Sequence, residues 1–262
     1  MVPMYLEYPD GLYVPTRYYL HPQQTTQVVL IGTLHVGEKS FYKQVNATLR
    51  ECERVIYEEL RVIDTAVMEQ REKDCRAMLE AKGTLDESFL AAIFLPMPPS
   101  KFSNDHGLVQ EVRSFNYAQD HWISGDGAWD GNASEDGALS DNVWKQIRNA
   151  IKILPAQLKR EKVKAAKKFL HSVDAGSASI QEYISFCNLH EEEIEAKINK
   201  HTLVDPRDKL TFDVFDKVIE TQRPSCVAIK FGNAHIPGLD RELRSRNYSY
   251  IATMWLRILK IE

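Results

Sequence analysis

The sequence predicts an α/β protein with a mostly parallel or mixed central sheet, flanked by helices and interrupted by a helical insertion between an N-terminal and a C-terminal βα part. Three observations lead there. Strand-like apolar runs alternate with amphipathic helical stretches near both ends of the chain, and the periodicity of the middle is helical. An apolar run also passes straight into Gly-x-x-His twice, at Gly32-Thr33-Leu34-His35 and at Gly232-Asn233-Ala234-His235. With 262 residues, 44% hydrophobic and 27% charged, the chain is long enough for one large domain with a substantial core, or at most two small ones. We read residues 1–262 as that single domain, with the insertion over about 61–205.

Taken in order, residues 27–31 are the first buried strand, and Gly32 lets the backbone turn or approach a ligand closely where it ends. A helix follows, with Ser40 as its N-cap and Phe41, Val45, Leu49 and Cys52 along its apolar face. Val55-Ile56-Tyr57 is a second strand running into Glu58-Glu59, so the opening sixty or so residues form a βαβ unit with a right-handed crossover. A parallel neighbour puts both glutamates at the same sheet edge as His35. Residues 61–95 have helical periodicity, which Pro96-Met97-Pro98-Pro99-Ser100 interrupts. A weak alternation over 108–117 suggests a third strand. Residues 125–142 are rich in Gly, Asp, Ser and Asn, with only Trp129 and Leu139 large and apolar, and are expected to form a mobile surface loop.

Two long helical stretches come next: 143–173 with a break near Pro155, and 179–201 with Glu191-Glu192-Glu193 in its middle. Residues 208–222 form a further helix with Leu210, Val214, Phe215, Val218 and Ile219 on one face, and Pro224 ends it before a strand over 226–231. A short charged helix over 239–246 and a closing strand over 248–258 complete the chain.

Composition narrows the function. A net charge of −4 and a pI near 6.1 offer no concentrated basic surface for nucleic acid, and the basic run from Lys159 to Lys164 reads as a solvated helix face. Cys52, Cys75, Cys187 and Cys226 are scattered with no C-x-x-C pair, which suits reduced thiols in a cytoplasmic protein. Residues 1–19 are rich in Tyr and Pro and lack the basic start and apolar core of a signal peptide, and no run approaches the roughly 20 apolar residues of a membrane helix.

In open α/β sheets ligands bind at the C-terminal strand ends, so two histidines delivered there from remote parts of the chain can face one another. Together with a carboxylate they suit zinc, manganese, iron or cobalt, and leave coordination positions open for water and substrate. The unligated member of Glu58 and Glu59 would then be free as a general base. The same side chains could equally work without metal, with one His activating water and a carboxylate holding its tautomer. The bland reading has both histidines capping strand ends by hydrogen bonding. No G-x-S-x-G nucleophile elbow is present, and His106, His121, His171, His190 and His201 show no paired spacing. Arg207 could reach an anionic substrate or pair with the site carboxylate; the bland reading has Asp208 as a helix N-cap and Arg207 as its solvated neighbour. Lys230, inside an apolar strand, either snorkels outwards at a sheet edge or pairs with an acid such as Glu59.

The segments IGTLHVGEKSFY, VIYEEL and IKFGNAHIPGL resemble the TraB/GumN/TIKI superfamily, whose members share two Gly-x-x-His motifs and an intervening Glu. Leu108, Gln110, Phe115, Tyr117, Trp122 and Asp126 resemble a spaced segment of bacterial members, and Pro206-Arg207-Asp208 resembles the family's Arg-Asn or Arg-Asp before the penultimate helix. The resemblance spans residues 27–256 in patches. It implies a core like that of erythromycin-esterase and ChaN-like proteins and an active site where His35, Glu58 and His235 meet, Glu58 rather than Glu59 supplying the carboxylate. TIKI members are metal-dependent peptidases, TraB-type members are linked to peptide-pheromone shutdown, and ChaN-like relatives bind haem. The Gly-rich stretch departs from the pattern just after Asp126, so no role is carried over to that residue, and the membrane anchors of several relatives are missing.

The expectation is therefore a cytoplasmic metal-dependent hydrolase acting on a peptide or small-molecule substrate, with no nucleic-acid partner. His35, Glu58 and His235 would bind Mn, Co, Zn or Fe, and Arg207 would steer substrate. The alternatives are a metal-free esterase-like hydrolase and a haem- or peptide-binding protein.

Overall fold

The computed structural model describes residues 5–59, 98–126, 154–189 and 205–261, together with Lys73, Ala77 and Lys152. The expectations for 61–95, for the loop beyond Asp126 and for the end of the 179–201 helix fall largely outside these residues. Two compact units are formed, one from residues 1–60, 109–130 and 204–262, the other from 61–108 and 131–203.

The first unit is built on a mixed sheet. β1 (Leu6–Tyr8) and β2 (Gly11–Leu20) form a hairpin, and β3 (Gln27–Thr33) returns antiparallel to β2. β4 (Val36–Glu38) leads into α1 (Lys39–Arg50), after which β5 (Arg54–Tyr57) takes up the sheet again. The strand order is β1-β2-β3-β8-β5-β7, with β7 (Trp122–Ser124) at one edge, β8 (Cys226–Gly232) between β3 and β5, and β9 (Ser249–Lys260) antiparallel along β2. Its β3, β8, β5 and β7 run parallel to one another.

The parallel strands are apolar almost without interruption because helices cover them, as buried parallel sheets require. Phe212, Phe215 and Val218 of α5 (Asp205–Gln222) and Ile236, Leu239 and Leu243 of α6 (Ile236–Ser245) pack with Val28, Leu30, Ile56, Val227, Ile229 and Phe231 of the strands. Each such burial contributes about 1.5–3 kcal/mol. α1 buries Phe41, Tyr42, Val45 and Leu49.

The second unit contains α2 (Ser100–Asp105), α3 (Ala156–Asp174) and α4 (Ile180–Asn188); β6 (Leu108–Gln110) follows α2 and leads the chain back to the sheet unit. Phe169 of α3 stacks on Phe186 of α4 with ring centroids 5.5 Å apart, and Ser179 closes a capping box with Glu182. Lys162 departs from the solvated face read for its basic run. It is buried, and its ammonium donates to the carbonyls of Phe186, Cys187 and Leu189 at the end of α4, where the helix dipole favours a cation.

Other differences have local causes. The β1–β2 hairpin was hidden in a Tyr- and Pro-rich segment. Pro15 is tolerated because it stands where the neighbour of β2 changes from β1, paired at residues 11–13, to β3, paired at residues 16–20. Ser40 is not the N-cap of α1; Glu38 holds that place and Ser40 donates its hydroxyl to the Glu38 carboxylate. Residues 108–117 extend only as far as β6 before a 3-10 turn, Glu111–Arg113. The expected break at Pro155 is present, directly before α3, whereas α5 and α6 each begin three residues before the expected start, with Pro206 and Pro237 in their first turns. Among the described residues no helix is long and apolar enough to cross a membrane.

Candidate active site

The four parallel strands each release one polar residue at the same end of the sheet. His35 follows β3, His235 follows β8, Glu58 follows β5, and Asp126 follows β7. Because Thr33 is in register with Gly232, the two Gly-x-x-His segments leave side by side. Glu58 is anchored next to them by its own N–H, which donates to the Lys230 carbonyl at 2.9 Å, and by the Gly232 N–H, which donates to Glu58 Oε2 at 2.7 Å. Both motif glycines permit close approach. A Cβ on Gly232 would fall 3.0 Å from Glu58 Oε2 and 3.9 Å from His35 Cε1, and one on Gly32 would collide with the Asn233 side chain.

His235 closes a 3-10 turn, Asn233–His235, and only 4% of its surface is exposed. Its Nδ1 lies 2.6 Å from Asp208 Oδ1, so an ionised Asp208 accepts the Nδ1 proton and a neutral ring keeps its lone pair on Nε2. Nε2 faces Arg207 Nη1 at 3.4 Å and Glu58 Oε1 at 3.7 Å. Arg207 and Asp208, adjacent on α5, thus serve opposite sides of the same ring.

The Arg207 guanidinium bridges two buried carboxylates. Its Nε and Nη2 donate to Asp126 Oδ2, the former at 2.7 Å, and Nη2 also donates to Glu58 Oε1 at 2.7 Å. Asp126 in turn accepts the Glu59 N–H at 2.8 Å. Burial works against the Glu58 charge, but the Arg207 guanidinium, both imidazoles and the Gly232 N–H outweigh it and hold the carboxyl far below the usual carboxylate range. At Asp126 burial and the neighbouring Glu58 charge prevail over Arg207 and raise the pKa.

His35 is the open member of the cluster, with half of its side chain exposed. Its Nδ1 lies 3.5 Å from Glu111 Oε2. Glu111 Oε1 accepts from Lys230 Nζ at 2.6 Å and from Thr33 Oγ1 at 2.8 Å. Lys230 is fully enclosed, its ammonium 4.8 Å from the centre of the Phe115 ring and 5.4 Å from that of Tyr117. Desolvation opposes a charged His35, and the Glu111 and Glu58 carboxylates overcome it to raise the ring's pKa.

His35, Glu58, His235 and Arg207, singled out in the sequence, therefore lie together. Glu59 turns to Ser124, whose hydroxyl donates to it at 2.9 Å. Lys230 neither snorkels nor pairs with Glu59, because a buried ammonium needs a buried carboxylate and Glu111 provides it. Asp208 is no helix cap, since α5 starts at Asp205. Glu111 was missed altogether; the one trace of it was the lysine in an apolar strand, which signals a hidden acid without saying where. In the second unit His106 Nε2 lies 3.0 Å from the Ala178 carbonyl.

Among the described residues no group of three or more His, Cys, Asp or Glu is drawn together tightly enough to hold a metal ion as it stands. The donor chemistry nevertheless suits a divalent ion: two imidazoles, each backed by a carboxylate at Nδ1, flank an ionised glutamate, and such backing is what orients metal-ligating histidines. Arg207 occupies Glu58 Oε1, but its two bonds to Asp126 hold it in place if that oxygen is given up. No protein-family model matches the chain, and no curated protein matches it.

Proposed function

We propose that the chain is a metal-dependent hydrolase of an acyl carbonyl, with a peptide bond as the first substrate to try. The observation that carries this reading is the convergence of two carboxylate-backed imidazoles on a buried, ionised Glu58 beside an anchored guanidinium. The resemblance to the TraB/GumN/TIKI superfamily points to the same side chains.

Bound by His35, Glu58 and His235, a divalent ion such as Mn, Co, Zn or Fe supplies a Lewis acid and a more acidic water. Asp208 fixes the His235 tautomer so that Nε2 presents its lone pair to the site. Arg207, charged at any working pH, would stabilise a substrate oxygen gaining negative charge beside Glu58, and a donor of this kind contributes about 10²–10³ in rate. Half-exposed His35 marks the side open to substrate.

A second, metal-free reading is favoured by one contact: Arg207 already neutralises Glu58 and lies 3.4 Å from His235 Nε2. Here His235, backed by Asp208, takes the proton from water, a general-base contribution of about 10²–10⁴. Elemental analysis of the purified chain and its His35→Ala and His235→Ala variants separates the two, combined with a panel of peptides and aryl esters assayed with and without chelator. Near-stoichiometric metal lost in both folded variants, with chelator-sensitive turnover, supports the first. Chelator-resistant turnover lost in His235→Ala supports the second, and no turnover on any substrate overturns both.

A further inference from the structure

We propose that Cys52 and Cys226 are a peroxide-reactive disulfide site that staples β5 to β8 at the sheet end remote from the candidate active site. It stands independently of the hydrolase reading.

The two residues are 174 positions apart in sequence, yet their Sγ atoms lie 2.6 Å apart. Cys52 sits between α1 and β5, Cys226 opens β8, and both thiols are free. The strand starts are clamped around them: the Glu53 N–H donates to the Cys226 carbonyl at 3.1 Å, and the Glu53 carboxylate accepts from the Ser225 N–H at 3.1 Å and the Ser225 hydroxyl at 2.6 Å. A disulfide needs its sulfurs about 2.05 Å apart, so closure moves them by roughly half an ångström and leaves the ladder as it is.

The environments of the two sulfurs divide the work. Cys226 is partly exposed, whereas Cys52 is buried. The sulfur–sulfur hydrogen bond lowers the Cys226 pKa against burial and the nearby Glu53 and Glu51 charges, and raises that of Cys52, so Cys226 is the first of the pair to ionise. An accessible thiolate beside a buried resolving thiol is the arrangement found at redox-sensing cysteines.

Hydrogen peroxide is the oxidant. The Cys226 thiolate attacks one peroxide oxygen, the O–O bond breaks, and the departing hydroxide takes a proton to become water, leaving Cys226 as a sulfenic acid. The Cys52 sulfur then gives up its proton and attacks the Cys226 sulfur. The S–O bond breaks and hydroxide leaves as a second water, carrying that proton. Two thiols lose two electrons in all, and one peroxide becomes two waters.

Cys52 precedes Glu58 by six residues and Cys226 precedes Gly232 by six, which at about 3.3 Å per residue sets the staple about 20 Å from the site. Oxidation should therefore raise the thermal midpoint without blocking the Glu58–His235 cluster.

The test uses the reduced full-length chain, exposed to a small excess of hydrogen peroxide, denatured in N-ethylmaleimide and digested. The expected result is one linked peptide pair containing Cys52 and Cys226, alkylation of two of the four cysteines, and recovery of all four after dithiothreitol. In Cys52→Ser, dimedone should trap a sulfenic acid at Cys226. A variant with Cys75→Ala and Cys187→Ala should still lose both remaining thiols together. Four alkylated cysteines after peroxide, or a link through Cys75 or Cys187, overturns the proposal.

Discussion

His35 and His235 leave adjacent parallel strands in the same four-residue motif, and their surroundings diverge at once. After His235 the chain turns directly into α6, and α5 brings Asp208 to within 2.6 Å of one ring nitrogen and Arg207 to 3.4 Å of the other. After His35 the chain continues into β4, the ring stays half in solvent, and its carboxylate, Glu111, stands off at 3.5 Å. The motif places a histidine at a strand end; the next element determines whether that histidine is fixed or open. One pole of the site is prebuilt around His235, and the other is left for something to enter.

The largest effect that would sharpen this contrast is at Arg207. Arg207→Ala leaves Glu58 and Asp126 buried without their shared cation, and should destabilise the fold by about 3–5 kcal/mol in urea titrations as well as abolish turnover. On the His35 side, Lys230→Met should cost about 3–5 kcal/mol by stranding the Glu111 charge. Adding Glu111→Leu should recover most of that, and a double variant no more stable than Lys230→Met would show that the pair is not the source of the loss.

Smaller effects address the rings themselves. Asp208→Asn should lower kcat/KM about 10–100-fold with little change in melting temperature, because it releases the His235 tautomer. Glu111→Gln, acting on a longer contact to a half-exposed ring, should cost less in kcat/KM. Equal losses for the two substitutions would erase the distinction between a fixed and an open pole. Gly232→Ala should have the mildest consequence, a few-fold loss as the new methyl presses Glu58 aside, which a crystal structure of the variant would reveal as a rotated carboxylate.

The sequence made the parallel strands legible for the same reason that they pack well. Val28 to Ile31 and Val227 to Ile229 are buried on both faces and read as continuous apolar runs, and a strand ending in Gly-x-x-His is hard to overlook. β7 was illegible because a three-residue strand carries no period, although Trp122 and Asp126 had been noticed individually. Asp208 was misread because the apolar face of α5 begins beside it, while Pro206 in the first turn reports the earlier start. Glu111 could not be assigned from spacing at all: its partners Thr33, His35 and Lys230 come from two distant strands, and only the folded sheet brings them beneath one carboxylate.

The central position of β8 also bears on how the protein is made. β3 and β5 emerge early from the ribosome, but in the finished sheet both pair with β8 rather than with each other. From Cys52 to Cys226 the chain advances 174 positions, which at about 5–20 residues per second takes on the order of ten seconds or more. Throughout that interval two apolar strands lack the neighbour that satisfies their backbones, so the nascent chain carries unpaired edges of the kind that promote aggregation. A chain truncated before β8 should accumulate in that exposed state.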